Sequence, residues 1–261
     1  MIQRKMEEAF SPSGIFRHLP NGFDKKRVHF YNVIDSTNNE AKRFAAEGAP
    51  DGTVFLANCQ TAGRGRVGRS FYSPEDGGIY FSCLLRPQLS ADDVVLITVA
   101  ASVAAADAIF AVTGVYPAIK WVNDLFLGRR KVCGILTEMV SGTSPAVVVG
   151  VGINCSAVFP EELQEIAGNL PKTEDLRNRL AAELICKMPY LEEIIKEGNF
   201  LDQYRAHSMV IGQIVTLPQE PGSRYFAKGI GDSGELILED ETGTERRLTT
   251  GEISIRLADT D

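Results

Sequence analysis

The 261-residue sequence has few cysteines and none of the usual cysteine patterns. There are five, an odd number, and no two of them form a CxxC pair. Such a set argues against a disulfide framework or a zinc site and indicates free thiols in a reducing compartment. The first residues carry acids where a signal peptide needs an apolar segment, and no uninterrupted apolar run reaches membrane-spanning length. We therefore expect a cytoplasmic protein without a membrane partner.

Positive charge is also scarce. Lys and Arg number 27 against 34 Asp and Glu, which gives a formal net charge of −7. This balance argues against a general nucleic-acid surface, so any basic site must be local. The three histidines, His18, His29 and His207, lie outside every motif, and we expect them to be structural or surface residues.

Hydrophobic patterning predicts an α+β fold. Apolar runs predict strands over 28–34, 53–60, 77–87, 117–124 and 146–155, and a hairpin over 125–140 that turns at 128–130. Helical patterns cover 35–48, 94–114, 160–168, 173–188 and 191–208. Because the strands are grouped together and the helices are grouped together, we expect a mixed or antiparallel sheet.

Two of these helices have recognisable starts. Thr37 is the expected N-cap of the helix over 35–48, with Glu40 three residues later. The helix over 94–114 is apolar on almost every face, which places it in the core, and Ser90 with Asp93 is expected to cap it.

Changes in composition and hydrophobic pattern divide the chain into three parts. Residues 1–27 mix Ser, Pro, Gly and Asn with charges and are expected to form a leader that lies on the surface or is partly disordered. From about residue 209, short strands punctuated by Gly and Pro predict a small β-barrel of roughly fifty residues. The expected domains are a leader over 1–27, a main α+β domain over 28–208 and a C-terminal β-domain over 209–261.

Three arginines and three glycines occur within the nine residues TAGRGRVGR, from Thr61 to Arg69, here called the arginine loop. Glycine lets backbone N–H groups approach a ligand, and guanidinium groups bind carboxylate or phosphate oxygens with paired hydrogen bonds. The spacing matches neither a Walker loop nor a dinucleotide fingerprint. A solvated basic turn is the alternative, but the position directly after an apolar strand favours an anion-binding loop.

Two further segments contain candidate ligand-binding residues. Lys131 follows the expected hairpin turn and can present a point charge to a phosphate or carboxylate, with Gly134 leaving room for a close approach. Taken alone, Lys131 is better explained as an exposed turn lysine, and Asn123 with Asp124 as an ordinary turn pair. The GVGIN segment at 150–154 fits either a bulged strand or a close backbone approach to a ring.

Taken together, these segments resemble the biotin protein ligase family, whose members attach biotin to carboxylase carrier domains. The family pattern QxAGRGRxGR is QTAGRGRVGR here from Gln60, and KWPNDxxxxxxKxxGIxxE matches 120–138 except that Val122 replaces proline. The closing GGEIS[LI]R element matches 250–256, with Thr250 for the first glycine. The resemblance spans about Ile34 to Arg256 and implies a catalytic domain of the biotin/lipoate ligase type followed by an SH3-like β-barrel.

The resemblance implies a two-step reaction with ATP and biotin as substrates and Mg²⁺ as cofactor. The biotin carboxylate attacks the α-phosphorus of ATP, which gives biotinyl-5′-adenylate and pyrophosphate. A lysine of a biotin carboxyl carrier domain then attacks the mixed anhydride, and AMP leaves. The first step brings two anions together, so fixed cations and backbone donors must offset their repulsion.

By similarity to the family, Lys131 and Arg64 are the catalytic candidates. Biotin is expected to contact Ser36, Thr37, Asn38, Gln60, Gly63, Arg64, Gly65, Arg66, Lys131 and Gly134. ATP and the adenylate are expected to contact Arg66, Arg69, Phe71, Asn123, Asp124, Lys131 and Asn154, with Phe71 where the family often has tryptophan. The sequence does not identify the metal ligands, and Asp124 is one candidate. We also expect the arginine loop to order on ligand binding, because its arginines would repel one another without an anion between them.

Other functions fit parts of this pattern. A lipoate ligase or octanoyltransferase shares the catalytic fold but lacks the full arginine loop, and a non-catalytic biotin or nucleotide sensor needs the pocket without turnover. RNA binding through the Arg/Gly segment conflicts with the acidic balance. Fewer than thirty residues precede the first core strand, too few for the winged helix-turn-helix of DNA-binding family members, so we expect no DNA binding. The sequence does not decide whether the protein forms a homodimer through a sheet edge.

Overall fold

A seven-stranded mixed sheet forms the larger part of the protein. The computed structural model describes residues 9–88, 94–142, 145–218, 220–249 and 256–257. The strands are β1 Val28–Ile34, β2 Thr53–Gln60, β3 Gly78–Leu85, β4 Ala118–Lys120, β5 Asp124–Leu127, β6 Arg130–Val140 and β7 Ala146–Asn154. Their order is β1-β2-β3-β7-β6-β5-β4, with β1 and β2 parallel and the other neighbours antiparallel.

Helices cover both faces of this sheet. They are α1 Pro12–Phe16, α2 Thr37–Ala46, α3 Val94–Thr113, α4 Leu176–Lys187, α5 Leu191–Glu197 and α6 Phe200–Ala206. Because successive side chains of a strand point to opposite faces, Val149 of β7 packs in the cluster around α3, whereas Val148 packs with Ala41 and Ala45 of α2. On the face opposite α3, the short helix α2 packs against β2, β3 and β7 and leaves part of that face for a site.

Helix α3 is the core helix that its apolar sequence predicts. Among the described helices it alone is long and apolar enough to cross a membrane, with a mean hydropathy of 2.2 over Val95–Thr113. However, 72% of that span is buried inside the protein, where α4, α5 and α6 pack against the helix. The cap expected from Ser90 and Asp93 lies outside the described residues.

Two segments contradict the sequence expectation. The N-terminal residues are not a surface leader throughout, because α1 packs on α4 and Ile15 is completely buried. The helix expected over 160–168 is a single 3-10 turn at Glu161–Leu163. Its continuation pairs with β6 instead: Lys131 N–H donates to the Ile166 carbonyl at 2.8 Å, and the Lys131 carbonyl accepts from Gly168 at 2.9 Å.

Two other elements are interrupted. The helix expected over 191–208 is split between α5 and α6 at Gly198, which has a φ of +79°. The strand expected over 117–124 stops at Lys120, and the chain turns through Trp121 to Asn123 before β5 begins.

The C-terminal part is a separate antiparallel sheet. It contains β8 Ile214–Leu217, β9 Glu220–Ile230, β10 Leu236–Glu239, β11 Glu245–Leu248 and β12 Arg256–Leu257, in the order β11-β10-β9-β8-β12. Trp121 Nε1 donates to the Gly234 carbonyl at 2.9 Å and joins this sheet to the larger part. The expected α+β class is confirmed, while residues 250–255 of the closing motif lie outside the described residues.

Candidate active site

Three glycines form a flat floor on the face of the sheet that α2 only partly covers. Gly134 of β6 pairs with Gly152 of β7, and Gly150 pairs with Leu136 on one side and with Ser82 of β3 on the other. The pairing of β7 with both neighbours continues without a register shift, so the GVGIN segment is a regular strand and not a bulge. Because glycine has no side chain, groups above the floor can lie directly on the backbone.

Phe71 and Lys131 lie on this floor. A methyl group at Gly152 would be 2.6 Å from the Phe71 ring, so GVGIN does approach a ring, although the ring belongs to the protein itself. A methyl group at Gly134 would be 3.1 Å from Lys131 Nζ. The remaining cavity is about 40 Å³, far below the roughly 300–1,000 Å³ of ligand pockets. Side chains such as that of Phe71 therefore fill most of the space that a bound ligand would need.

The start of α2 forms one wall of the cavity. Its N-cap is Ser36, not Thr37 as expected, and the Ser36 side chain makes no capping hydrogen bond. Gln60 caps the helix instead, because its Oε1 accepts from Thr37 N–H at 2.8 Å and from the Thr37 hydroxyl at 3.1 Å. Glu40 does not complete a capping box with Thr37, because the Thr37 N–H that it would bind donates to Gln60, and the Glu40 carboxylate accepts from the Tyr31 hydroxyl instead. Ser36 and Thr37 are buried and line the cavity.

The Asn38 amide has one fixed orientation. Its Nδ2 donates to Glu138 Oε2 at 2.9 Å and to the Leu136 carbonyl at 3.4 Å, and both of these oxygens can only accept. Asn38 Oδ1 therefore accepts from the Ser82 hydroxyl at 2.6 Å. A methyl group at Gly150 would overlap the Asn38 amide, so this glycine is required for the arrangement.

The arginine loop folds over the cavity and is internally bonded. Gly65 N–H donates to the Arg69 carbonyl at 2.7 Å, and Phe71 N–H donates to the Gly63 carbonyl at 3.0 Å. A methyl group at Gly63 would overlap the Phe71 carbonyl, which explains the glycine there.

The side chains of Arg64 and Arg66 donate to protein groups. Arg64 Nη1 donates to Asn39 Oδ1 at 3.0 Å, and Arg64 Nη2 donates to Glu138 Oε1 at 3.1 Å. Arg66 Nη1 donates to Asn123 Oδ1 at 3.0 Å. Burial lowers the pKa of Arg66, and the nearby charge of Asp124 partly opposes this. The expectation that the loop arginines lack an anion before a ligand binds is thus wrong in one respect. The Glu138 carboxylate already binds Arg64 when no ligand is present.

Lys131 lies at the edge of the cavity in an ion pair with Asp124. Lys131 Nζ is 2.7 Å from Asp124 Oδ1. This oxygen is buried, and no other group in the described part of the chain donates a hydrogen bond to it. Asn154 Nδ2 donates to the Lys131 carbonyl at 3.5 Å and so lies beside the same residue. No group of three or more His, Cys, Asp or Glu side chains suited to a metal ion occurs in the described part of the chain.

Most of the residues predicted for the site line the cavity. They are Ser36, Thr37, Asn38, Gln60, Arg64, Gly65, Arg66, Phe71, Asn123 and Gly134. The others, Gly63, Arg69, Asp124, Lys131 and Asn154, are not among the lining residues, and Arg69 is exposed. Sequence reasoning missed the lining residues Tyr80, Phe81, Ile135, Leu136 and Val151. Alternation along β6 from Gly134 identifies Leu136 and Glu138 as residues of the same face.

The three histidines lie away from the cavity. His18 bonds Asp175 at 2.6 Å, His29 stacks on Phe55 with ring centroids 5.2 Å apart, and His207 stacks on a tyrosine ring. These contacts agree with the structural roles expected for them.

Comparison with known proteins identifies the family. The biotin/lipoate A/B protein ligase family model matches residues 30–154, and the biotin protein ligase C-terminal domain model matches 210–256. The bifunctional ligase/repressor BirA of Bacillus subtilis is 31% identical over 236 residues, covering 83% of this chain and 70% of the relative. The biotin--[acetyl-CoA-carboxylase] ligase of Mycobacterium tuberculosis is 34% identical over 221 residues, covering 78% and 80%.

A solved structure agrees with this assignment. The biotin protein ligase of Aquifex aeolicus in complex with biotin and ATP has a TM-score of 0.77 and 26% identity, covering 88% of this chain and 99% of that one. Fold and sequence together define a ligase domain with its characteristic C-terminal domain. The chain belongs to the biotin protein ligase family.

Proposed function

We propose that the protein is a biotin protein ligase, which forms biotinyl-5′-adenylate from biotin and ATP and transfers biotin to a lysine of a carrier domain. One observation carries the proposal: a cavity with polar groups at the start of α2 has Arg64, Arg66 and Lys131 around its rim. A neutral polar ring with a carboxylate tail matches that distribution of groups. The names of the relatives and the biotin and ATP bound in the Aquifex aeolicus structure support the same function.

The polar wall suits the ureido ring of biotin. This ring offers one carbonyl and two N–H groups within an apolar bicycle, so it needs a few placed partners in an otherwise apolar pocket. Ser36, Thr37, Asn38 and Gln60 are half-buried or buried, and line one side of the cavity. The flat glycine floor lets the bicycle lie close to the strands. Phe71 must shift for this, because its ring now covers Gly152.

The cations suit the adenylation step. A carboxylate oxygen of biotin attacks the α-phosphorus of ATP, the bond to the β-phosphate oxygen breaks, and pyrophosphate leaves. Lys131 and Arg64 offset the repulsion between carboxylate and phosphate and hold the two in line. Asp124 keeps the Lys131 ammonium at the edge of the floor before the substrates arrive.

The nucleotide is assigned to the side of the cavity that contains Asn123 and Arg66. Phe71 offers a face for stacking, Arg69 adds positive charge, and Asn154 lies beside Lys131. Mg²⁺ usually binds through one or two carboxylates together with substrate phosphates. Asp124 fits as one such carboxylate, and the ion would neutralise phosphate charge when it binds with ATP.

The transfer step needs no nucleophile from the protein. The adenylate is a mixed anhydride, so a neutral carrier lysine attacks its carbonyl directly, an amide forms, and AMP leaves. Arg64 and Lys131 then stabilise the charge that develops on the departing phosphate.

The test uses purified protein, biotin, Mg-ATP and a biotin carrier domain. We expect pyrophosphate release that depends on biotin, followed by biotin attached to the carrier. A lipoate ligase would instead consume lipoate and label a lipoyl domain. A sensor would bind biotin or nucleotide with neither pyrophosphate release nor label. Either result would replace the proposed function.

A further inference from the structure

Glu138 has no part in the steps above, yet its carboxylate binds three side chains of the site region. Oε1 accepts from Lys42 Nζ at 2.6 Å and from Arg64 Nη2 at 3.1 Å, and Oε2 accepts from Asn38 Nδ2 at 2.9 Å. Only 17% of the Glu138 side chain is exposed. Asn38 and Lys42 are one turn apart on α2, so both face β6 at this point. Arg64 reaches the same carboxylate from the arginine loop.

The charge of Glu138 is required for this arrangement. Lys42 and Arg64 share one oxygen atom, so the two cations lie close together and would repel each other without it. Burial acts to raise the pKa of Glu138, but hydrogen bonds from Lys42 and Asn38 and the charges of both cations outweigh it, and the pKa is below its usual value. Glu138 is therefore ionised at neutral pH.

Two of the three contacts of Glu138 act on residues assigned to biotin, Asn38 and Arg64. The bond to Asn38 fixes the amide with its oxygen toward Ser82, inside the cavity wall. The bond to Arg64 brings the guanidinium group of the loop down onto the body of the protein, where Asn39 supplies a second acceptor.

We propose that Glu138 is a positioning residue whose carboxylate holds Arg64 over the cavity and the Asn38 amide in the cavity wall, so that the arginine loop closes on the adenylate. This inference rests on the proposed function, because the adenylate is what a closed loop retains. Glu138 itself touches no substrate and works through the two side chains.

Glu138→Gln tests the role of the charge, since glutamine keeps the size but cannot neutralise Lys42 and Arg64. Loss of a charged hydrogen bond predicts about a tenfold faster escape of biotinyl-adenylate and about a tenfold higher KM for biotin. The rate of adenylation at saturating substrates should change by less than about threefold, because these contacts do not form only in the transition state.

Lys42→Met is the matched control. It also removes one charge from the group, but it leaves Glu138 entirely to Arg64 and Asn38, so adenylate escape should stay within about twofold of wild type. A structural role alone would make both variants similarly defective. In a double-mutant cycle, Glu138→Gln should add less than about twofold to the escape rate of Arg64→Met, because the two share one contact.

The measurements are a chase of labelled biotinyl-adenylate from the full chain and hydrogen exchange of 61–71 without ligand. Faster escape and faster exchange in Glu138→Gln, with normal values in Lys42→Met, are the expected results. A folded Glu138→Gln that retains adenylate as long as wild type overturns the inference but leaves the proposed function intact. If Glu138→Gln does not fold, unchanged exchange in Arg64→Met overturns it. A wild type that makes no adenylate removes the proposed function and this inference together.

Discussion

Replacing Lys131 by alanine separates its chemical contribution from its structural one. Lys131 Nζ lies 2.7 Å from Asp124 Oδ1, and the two side chains are 33% and 27% exposed. A partly exposed pair of this kind contributes about 1 kcal/mol or less to folding. Asp124 Oδ1 is buried, so leaving it unpaired adds about 1–3 kcal/mol. A domain of ordinary stability, about 5–15 kcal/mol, stays folded after such a loss.

The effect on adenylation is expected to be much larger than the effect on folding. Removing one fixed electrostatic stabiliser from an enclosed site typically slows the chemical step by about 10²–10³-fold. Single-turnover release of pyrophosphate at saturating biotin and Mg-ATP measures that step directly, and urea unfolding measures the stability. Lys131→Ala should therefore lose at least about a hundredfold in rate while still unfolding cooperatively.

Arg129→Ala is the control for net charge. Arg129 is exposed in the turn between β5 and β6, two residues before Lys131, so its removal changes the charge of the same hairpin without touching the cavity. Its adenylation rate should stay within about twofold of wild type, as is usual for exposed charges. A Lys131→Ala rate within about threefold of wild type would refute the role assigned to this lysine and make it an ordinary rim residue.

Three further outcomes follow from the structure. Gly152→Ala places a methyl group 2.6 Å from the Phe71 ring. The free energy of unfolding in urea should therefore fall by about 1–3 kcal/mol, and the biotin affinity measured by calorimetry should fall with it. Unchanged values would show that the ring does not rest on this glycine. The thiols of Cys83, Cys133 and Cys155 are buried, and burial raises their pKa, that of Cys155 to about 12. A thiol-titration reagent should thus modify no more than two of the five cysteines rapidly in the native protein, against all five after denaturation, and five fast thiols would contradict the burial. Glu138 has a folded-state pKa below its reference value of 4.5, so its contribution to stability is present above that pH and is lost as the pH falls through the folded pKa. The stability difference between wild type and Glu138→Gln should shrink from pH 7 to about pH 4, and growth of that difference in acid would reverse the assigned sign.

The elements with strong local patterns could be predicted from the sequence. The apolar residues of the strands β1, β2 and β7 and of the buried helix α3 predict these elements directly, and the structure contains all four. Gly63, Gly65, Gly150 and Gly152 each occupy a place where a methyl group would lie close to another atom, whereas Gly68 has a φ of +72° and no such neighbour among the described residues.

Contacts between segments that are far apart in the sequence account for the differences between the predicted and the observed structure. Local sequence favours Thr37 as the helix cap, but Gln60 from β2 supplies the capping oxygen and shifts the cap to Ser36. The segment after Pro160 has helical composition, yet its backbone pairs with Lys131. Glu138 is 74 residues from Arg64 and 100 from Asn38 along the chain, so no local pattern indicates that they meet.

The most direct test of the whole account is the mass of the native protein after incubation with biotin and Mg-ATP, followed by rapid removal of free ligand. A loop that closes over a reaction intermediate predicts one tightly held biotinyl-5′-adenylate per chain, which disappears when a carrier domain is added and reappears as biotin on that carrier. Protein that carries only biotin, only nucleotide or no ligand under these conditions would contradict the account.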